Sequence, residues 1–161
     1  VKLLLHRDGS GGLPGTITIG IKAVDGDGLP VGDDLCSGST DGDTLPTGSP
    51  YEWREITLGA GFALTAGIQY AIVAKALSGN INNYAVWRVK TSATYTGGTI
   101  CYTYGNPEGV WSTESTVDAA FEEYGTIAGS ETAGPIAIVG TEFHYLDATG
   151  QERFIEGTTV T

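Results

Sequence analysis

The densest group of side chains that could do chemistry is a set of six aspartates in the first third of the chain. Clustered carboxylates could hold a structural calcium ion, which takes several carboxylate and carbonyl oxygens. The alternating ligands and terminal glutamate of an EF-hand loop are missing, and aspartate followed by glycine is also a common way to form a turn. Two alternatives therefore stay open, a Ca2+ site and ordinary turn chemistry. The six residues are Asp25, Asp27, Asp33, Asp34, Asp41 and Asp43.

Catalytic groups are sparse. The two histidines, His6 and His144, lie in separate segments, and the patterns G-x-S-x-G and H-E-x-x-H are absent. A glycosidase would need only two carboxylates, but Glu122 and Glu123 are chain neighbours, which a strand directs to opposite faces. We therefore expect that the protein is not an enzyme.

Aromatic side chains offer a second kind of site, because exposed rings can stack against the apolar faces of sugars. The candidates for glycan binding are Trp87, Trp111, Tyr102 and Tyr104. In the segment "YAVWRV", Trp87 and Tyr84 fall on opposite faces of a strand, so one of the two should be exposed. Packing in the core is the alternative for these rings, and we expect it for the tryptophans.

The chain has one pair of cysteines, Cys36 and Cys101. A disulfide between them is expected if the protein is extracellular, as its strand-rich composition indicates. The alternative is two buried thiols, because spacing alone cannot show that the sulfurs meet.

Composition excludes several partners. A formal net charge of -11 over 161 residues argues against nucleic acid and anionic membranes, whose binding depends on lysine and arginine. The longest apolar runs are far shorter than the roughly 20 residues of a membrane-spanning helix. The chain begins at Val1 rather than methionine, so we expect a processed protein or a fragment.

The elements that must position these residues are short strands separated by glycine-rich turns. Ile17, Ile19 and Ile21 alternate with polar or small residues, which predicts a strand with one buried face. Eight such segments precede Gly125: Val1–Arg7, Thr16–Val24, Leu35–Thr40, Tyr51–Leu58, Gln69–Leu77, Tyr84–Lys90, Thr99–Tyr104 and Thr116–Tyr124. Residues 126–135 have the composition of a linker, and residues 136–161 contain three further strand-like pieces. The sequence predicts an all-β protein, an antiparallel jelly-roll sandwich over residues 1–125 with a C-terminal β extension.

Several phrases of the chain resemble the choice-of-anchor R type of jelly-roll module. They are "LPTGSPYEWREI" followed by "LTAGIQYAIV", and then "NYAVWRV", "GGTICY" and "FEEYG". The resemblance covers about residues 1–125 and implies an extracellular or virion β-sandwich, similar to carbohydrate-binding modules, with no catalytic residues. Such modules usually have one more strand before the position of Val1, and its absence predicts an open sheet edge.

We therefore expect a non-catalytic structural or adhesive subunit of an extracellular or virion assembly, such as a phage capsid decoration, tail or fibre. Its partners would be copies of itself or other structural proteins, reached through the C-terminal tail, which is too small to fold alone. The residues predicted to make that assembly are Ile136, Ile138, Phe143, Tyr145, Phe154 and Ile155. The alternative is a carbohydrate-binding module that uses exposed aromatics.

Overall fold

A computed structural model describes residues 1–9, 13–103 and 110–126, and the backbone of three later strands. The chain is all-β, with several antiparallel sheets, and the described residues contain no α-helix. One 3-10 turn spans Gly42–Thr44. The strands are β1 (Lys2–Gly9), β2 (Thr16–Val24), β3 (Pro30–Asp41), β4 (Glu52–Glu55), β5 (Tyr70–Lys75), β6 (Asn83–Trp87), β7 (Val89–Thr91), β8 (Ile100–Tyr102), β9 (Ser112–Glu114), β10 (Val117–Ala119), β11 (Phe121–Gly125), β12 (Ile136–Val139), β13 (Glu142–Leu146) and β14 (Glu152–Ile155).

The chain divides into two compact units. One comprises Leu3–Ala120, and the other comprises Val1–Lys2 with Phe121–Thr161. The predicted end of the first domain, at residue 125, is the end of β11, a strand that belongs to the second unit. Among the described residues, no helix is long and apolar enough to cross a membrane.

The first unit has a three-stranded sheet in the order β3-β2-β5. Its central strand β2 carries the alternation seen in the sequence, and Ile17, Ile19 and Ile21 are all buried. Ile21 lies opposite Cys36 of β3 and Ile72 of β5. Burying three isoleucines on one face fixes the register, because a slip of one residue would expose all of them.

A second sheet of this unit contains β1, which is hydrogen-bonded to β4 and β6. Leu3 and Leu5 of β1 are fully or almost fully buried, and Leu5 lies opposite Trp87 of β6. The shorter pairs β7–β10 and β8–β9 complete the unit.

In the second unit, β11 to β14 form an antiparallel meander in chain order. Segment 126–135 therefore connects two adjacent strands of the same chain, β11 and β12. Lys2 lies beside β11, where its Nζ is 3.9 Å from Glu122 Oε2 and 4.9 Å from the centroid of the Tyr124 ring.

The two sheets of the first unit meet at Gly38 of β3. A Cβ atom at this position would overlap the Thr57 carbonyl oxygen and lie 3.2 Å from Ile56 Cγ2. Ile56 follows β4 and is buried, as is Ile19, the residue of β2 opposite Gly38. Gly38 is therefore required by a close approach between backbones and not by a left-handed conformation.

The strand predictions are largely confirmed. β2 has the predicted bounds, and each of the other predicted segments overlaps at least one strand. The segments Tyr84–Lys90 and Thr116–Tyr124 each divide into two strands, because Arg88 and Ala120 pair with each other and with Leu4 instead of continuing the ladders. The structure adds β9, whose three polar residues have no alternating pattern.

Substitution of Gly38 by alanine should destabilise the protein by about 2 to 3 kcal/mol, since overpacking a tight site forces backbone shifts. Gly26→Ala is the matched control, because nothing lies within 4 Å of a Cβ at that position. Urea unfolding of both variants measures the difference. Equal stability of the two would show that the sheets do not meet at Gly38.

Candidate functional site

The most unusual chemistry of the described residues lies on the outer face of β1, β4 and β6. In β1, Leu3 and Leu5 face the core, so His6 lies on the opposite face. His6 is nevertheless only 7% exposed. We call this surface the outer face.

Tyr51 covers His6. The two ring centroids are 4.2 Å apart and the ring planes differ by 17°, which is a stacked arrangement. On Tyr51 lies Arg88, with its Cζ 5.0 Å from the ring centroid and its Nη1 3.5 Å from the tyrosine hydroxyl. Histidine, tyrosine and arginine thus form a continuous row from the sheet to the solvent, held by stacking and a cation–π contact.

Two exposed aromatic rings accompany this row. Tyr84 lies opposite Asp8 in the β1–β6 register, two residues from the His6–Val86 pair, and is 40% exposed. Trp53 is 45% exposed. Side chains two residues apart in a strand lie on the same face, so Trp53 lies on the same face as Tyr51. Ile56, three residues further on, faces the core, so alternation places Trp53 on the outer face.

Two polar groups of the row lack the partners that they normally have. His6 Nδ1 is buried and has no hydrogen-bond partner in the described part of the chain. In the part of the chain that the structure describes, Arg88 makes no ion pair, although the protein has many more acidic than basic residues. A buried nitrogen without a partner costs about 1 to 3 kcal/mol, and such groups are uncommon in folded proteins.

The aromatic residues predicted for glycan binding are not brought together on this face. Trp87 is half-buried opposite Leu5, and its Nε1 donates a 2.7 Å hydrogen bond to the Ala120 carbonyl. Tyr102 is 41% exposed on β8, and Trp111, half-buried, precedes β9. Tyr104 lies outside the described residues. The expectation that one ring of the Trp87–Tyr84 pair is exposed is met by Tyr84.

Tyr51 and Arg88 are not among the residues predicted from the sequence, and Trp53, one of the aromatics that favour glycan binding, is not among the four final candidates. Alternation in "YEWRE" places Tyr51 and Trp53 on one face of the strand. It places Arg54 on the other face, together with Ile56. The stacking on His6 could not be read from the sequence, because residues 6 and 51 meet only through the sheet.

Two of the six aspartates form turns. Asp25 Oδ1 accepts hydrogen bonds from the backbone N–H groups of Asp27 and Leu29, at 3.0 and 2.9 Å. Asp41 Oδ1 accepts from the Asp43 N–H at 3.0 Å and caps the 3-10 turn. These are the local bonds that make aspartate favourable in turns.

Two others make longer-range contacts. Asp43 Oδ1 accepts a 2.6 Å hydrogen bond from the Gly15 N–H. Asp34 lies 3.5 Å from Lys22 Nζ and 3.4 Å from Lys75 Nζ. No group of three metal-ligating side chains occurs among the residues that the structure describes, so the geometry favours turns and ion pairs over calcium for this set.

An open cleft of about 390 Å³ lies beside the Asp25 turn. It is lined by Gly26, Asp27, Gly28, Gln69 and residues 96–99. Gln69 Nε2 donates to the Gly97 carbonyl at 3.4 Å across it. The walls are polar turns and hold no buried charged group, so the cleft lacks the mostly apolar lining of a small-molecule pocket.

The predicted disulfide between Cys36 and Cys101 does not form in the structure. Cys36 lies in β3 of the three-stranded sheet, whereas Cys101 lies in the separate β8–β9 pair. Burial raises the pKa of the Cys101 thiol, and the nearby Asp25 carboxylate raises it further. A raised pKa makes the thiol less reactive, because the thiolate is the nucleophile.

Two half-buried carboxylate residues are held by hydrogen bonds near β9 and β10. Asp118 Oδ2 accepts from the N–H groups of Thr94 and Tyr95, which lowers the pKa of Asp118 from 3.8. The Thr116 hydroxyl and N–H lower the pKa of Glu114 in the same way. Since both pKa values are lowered, the stabilisation is present above the ordinary values and is lost as the pH falls through the lowered ones.

No family model, curated protein or solved structure matches this chain. The residues and their geometry therefore carry the evidence for function.

Replacement of Asp25 by alanine should lower stability by about 1 kcal/mol, because two backbone donors lose their acceptor. Asp33→Ala, at an exposed position, is the control and should have no effect. Thermal melts with and without excess chelator complete the test. If excess chelator lowers the melting temperature of the unmodified protein but not that of Asp25→Ala, the turn would instead hold a bound cation.

The thiols should be distinguishable by alkylation. Intact-mass spectrometry should show no mass change on reduction, and Cys101 should react slowly in the native protein, because its pKa is raised. Asp25→Asn removes one cause of that shift and should speed the reaction at Cys101. A gain of two mass units on reduction would restore the predicted disulfide.

Proposed function

We propose that the protein is a non-catalytic structural or adhesive subunit, built on a jelly-roll domain, that joins copies of itself through its C-terminal meander. The assembly would belong to an extracellular structure or a virion. The observation that carries this proposal is the register of β12, β13 and β14.

In that register Ile138 lies opposite Phe143, and Phe143 lies opposite Ile155. Alternation assigns Ile136 and Tyr145 to the same face of the meander. Five of the six residues predicted for assembly thus share one face, and Phe154 belongs to the other. The same register places Glu123 and Arg153 on this face beside the apolar residues. A mostly apolar face is typical of a sheet that packs against another layer.

The meander also ends in an edge. Among the described strands, β14 pairs with β13 alone. An unpaired edge can accept a strand from a second chain, with main-chain hydrogen bonds supplying affinity. Because β12 pairs with β11 of its own chain, a neighbour would bind to the apolar face or to the β14 edge, and β12 to β14 would stay with β11.

The first unit also has exposed apolar side chains that a partner could contact. Several large apolar side chains are exposed in its loops, which is a mark of interaction surfaces when such residues are contiguous. They are Phe62, Leu64, Ile68, Leu77 and Ile81. Phe62 packs edge-on against Tyr70 at 6.2 Å, so this loop is anchored to β5.

Truncation after Gly125 should convert the oligomer to a monomer, as measured by light scattering coupled to size-exclusion chromatography. Ile155→Glu, on the proposed contact face, should do the same, because a buried unpaired charge is costly. Phe154→Glu, one residue earlier and on the other face, is the matched control and should leave the oligomer intact. A monomeric intact chain at high concentration, or a truncated chain that still assembles, would refute the proposal.

A further inference from the structure

We infer that the outer face is a binding site for a carboxylate-bearing sugar, such as a uronic or sialic acid unit of a glycan. Arg88 would bind the carboxylate, and the exposed rings of Tyr84 and Trp53 would contact the sugar. The site lies on β1, β4 and β6 and does not depend on the assembly proposed above.

The site carries one exposed positive charge, that of Arg88. Arg88 is exposed and makes no ion pair among the described residues, in a chain with a formal net charge of -11. Its neighbour is the Tyr51 ring, at 5.0 Å, and among the described residues its one side-chain hydrogen bond is the 3.5 Å contact to the Tyr51 hydroxyl. Most of the five guanidinium donors therefore remain available, in a planar fork that matches a carboxylate.

Tyr51 and His6 support Arg88 from beneath. Tyr51 is stacked on His6, which is 7% exposed, so the ring cannot turn inward. A cation held over a fixed ring has fewer conformations to lose when a ligand binds. His6 Nδ1 has no partner among the residues that the structure describes, and this polar cost is the kind that is retained at ligand sites.

The flanking residues select the class of ligand. Tyr84 and Trp53 are both exposed by 40% or more, and rings on a rigid strand face give sugars a flat contact surface at a low entropy cost. Asp8 and Glu55 are exposed carboxylates on the same strands. One arginine among carboxylates suits a single negative charge, and it disfavours polyanions such as nucleic acid or heavily sulfated chains.

A glycan fits this surface better than an acidic peptide. A peptide that adds to a sheet binds along a strand edge, whereas these side chains project from the face of a sheet whose central strand, β1, is already paired with β4 and β6.

The test is calorimetric titration of the full-length protein. The probes are a uronic acid trisaccharide, sialic acid, the carboxyl-reduced neutral form of the trisaccharide, and an acidic peptide of the same charge. We expect one of the two acidic sugars to bind, and the more tightly bound one identifies the source of the carboxylate. The neutral form should bind at least about tenfold more weakly, as expected for loss of a charged hydrogen bond.

Variants assign the binding to the site. Arg88→Gln should weaken acidic-sugar binding by about tenfold or more, and Arg88→Lys should have an intermediate effect because the charge stays and the fork is lost. Lys90→Gln is the matched control: it removes the same charge two residues away, at an exposed position of β7, and should change nothing. Tyr84→Ala should weaken both the acidic and the neutral sugar.

Several results would overturn the inference. These are no binding of either acidic sugar at millimolar concentration, equal binding of the neutral form, an equal loss in Lys90→Gln, and tighter binding of the acidic peptide. Thermal melts of each variant show that it is folded. The comparison of acidic and neutral sugars on the unmodified protein needs no variant and decides the matter if Arg88→Gln does not fold.

Discussion

The close approach of two backbones at Gly38 is the constraint on which the first unit depends. Because β3 has no side chain at that point, Ile56 and Thr57 can cross it in direct contact. Ile56 then enters the same buried set as Leu3 and Ile19. The two sheets come together through this contact, and the apolar residues of β1 and β2 share one core in consequence.

The same packing explains why the other face of β1 carries the row of His6, Tyr51 and Arg88. Leu3 and Leu5 fill the core, so alternation sends His6 to the opposite side, where a sheet normally meets water. The segment before β4 returns over that side. Its first residues run along the edge of β1, where the Arg7 N–H donates to the Pro46 carbonyl and Arg7 Nε donates to the Leu45 carbonyl. Tyr51, which follows, stacks on the imidazole. A polar residue is thereby buried outside the core, which gives Tyr51 and Arg88 a rigid base.

Local patterns in the sequence were sufficient for the strands and insufficient for the sites. Period-two alternation located β2 to the residue, because one buried face leaves a strong signal. The sequence could not distinguish turn aspartates from calcium ligands, since both use the same residues. In the structure Asp25 accepts hydrogen bonds from the backbone of its own turn. The row on His6 and the separation of Cys36 from Cys101 depend on which strands become neighbours, and pairing between distant strands leaves no local pattern.

The charge of the chain limits how copies can associate. In residues 121–161 Arg153 is the only lysine or arginine, so two such segments repel each other. If copies associate as proposed, the attraction would come mainly from main-chain hydrogen bonds at the β14 edge and from a mostly apolar face. The meander supplies both, because it aligns Ile138, Phe143 and Ile155 across three strands. In the proposed assembly, repulsion between acidic surfaces would disfavour association in other orientations, which would make contact through a sheet edge specific.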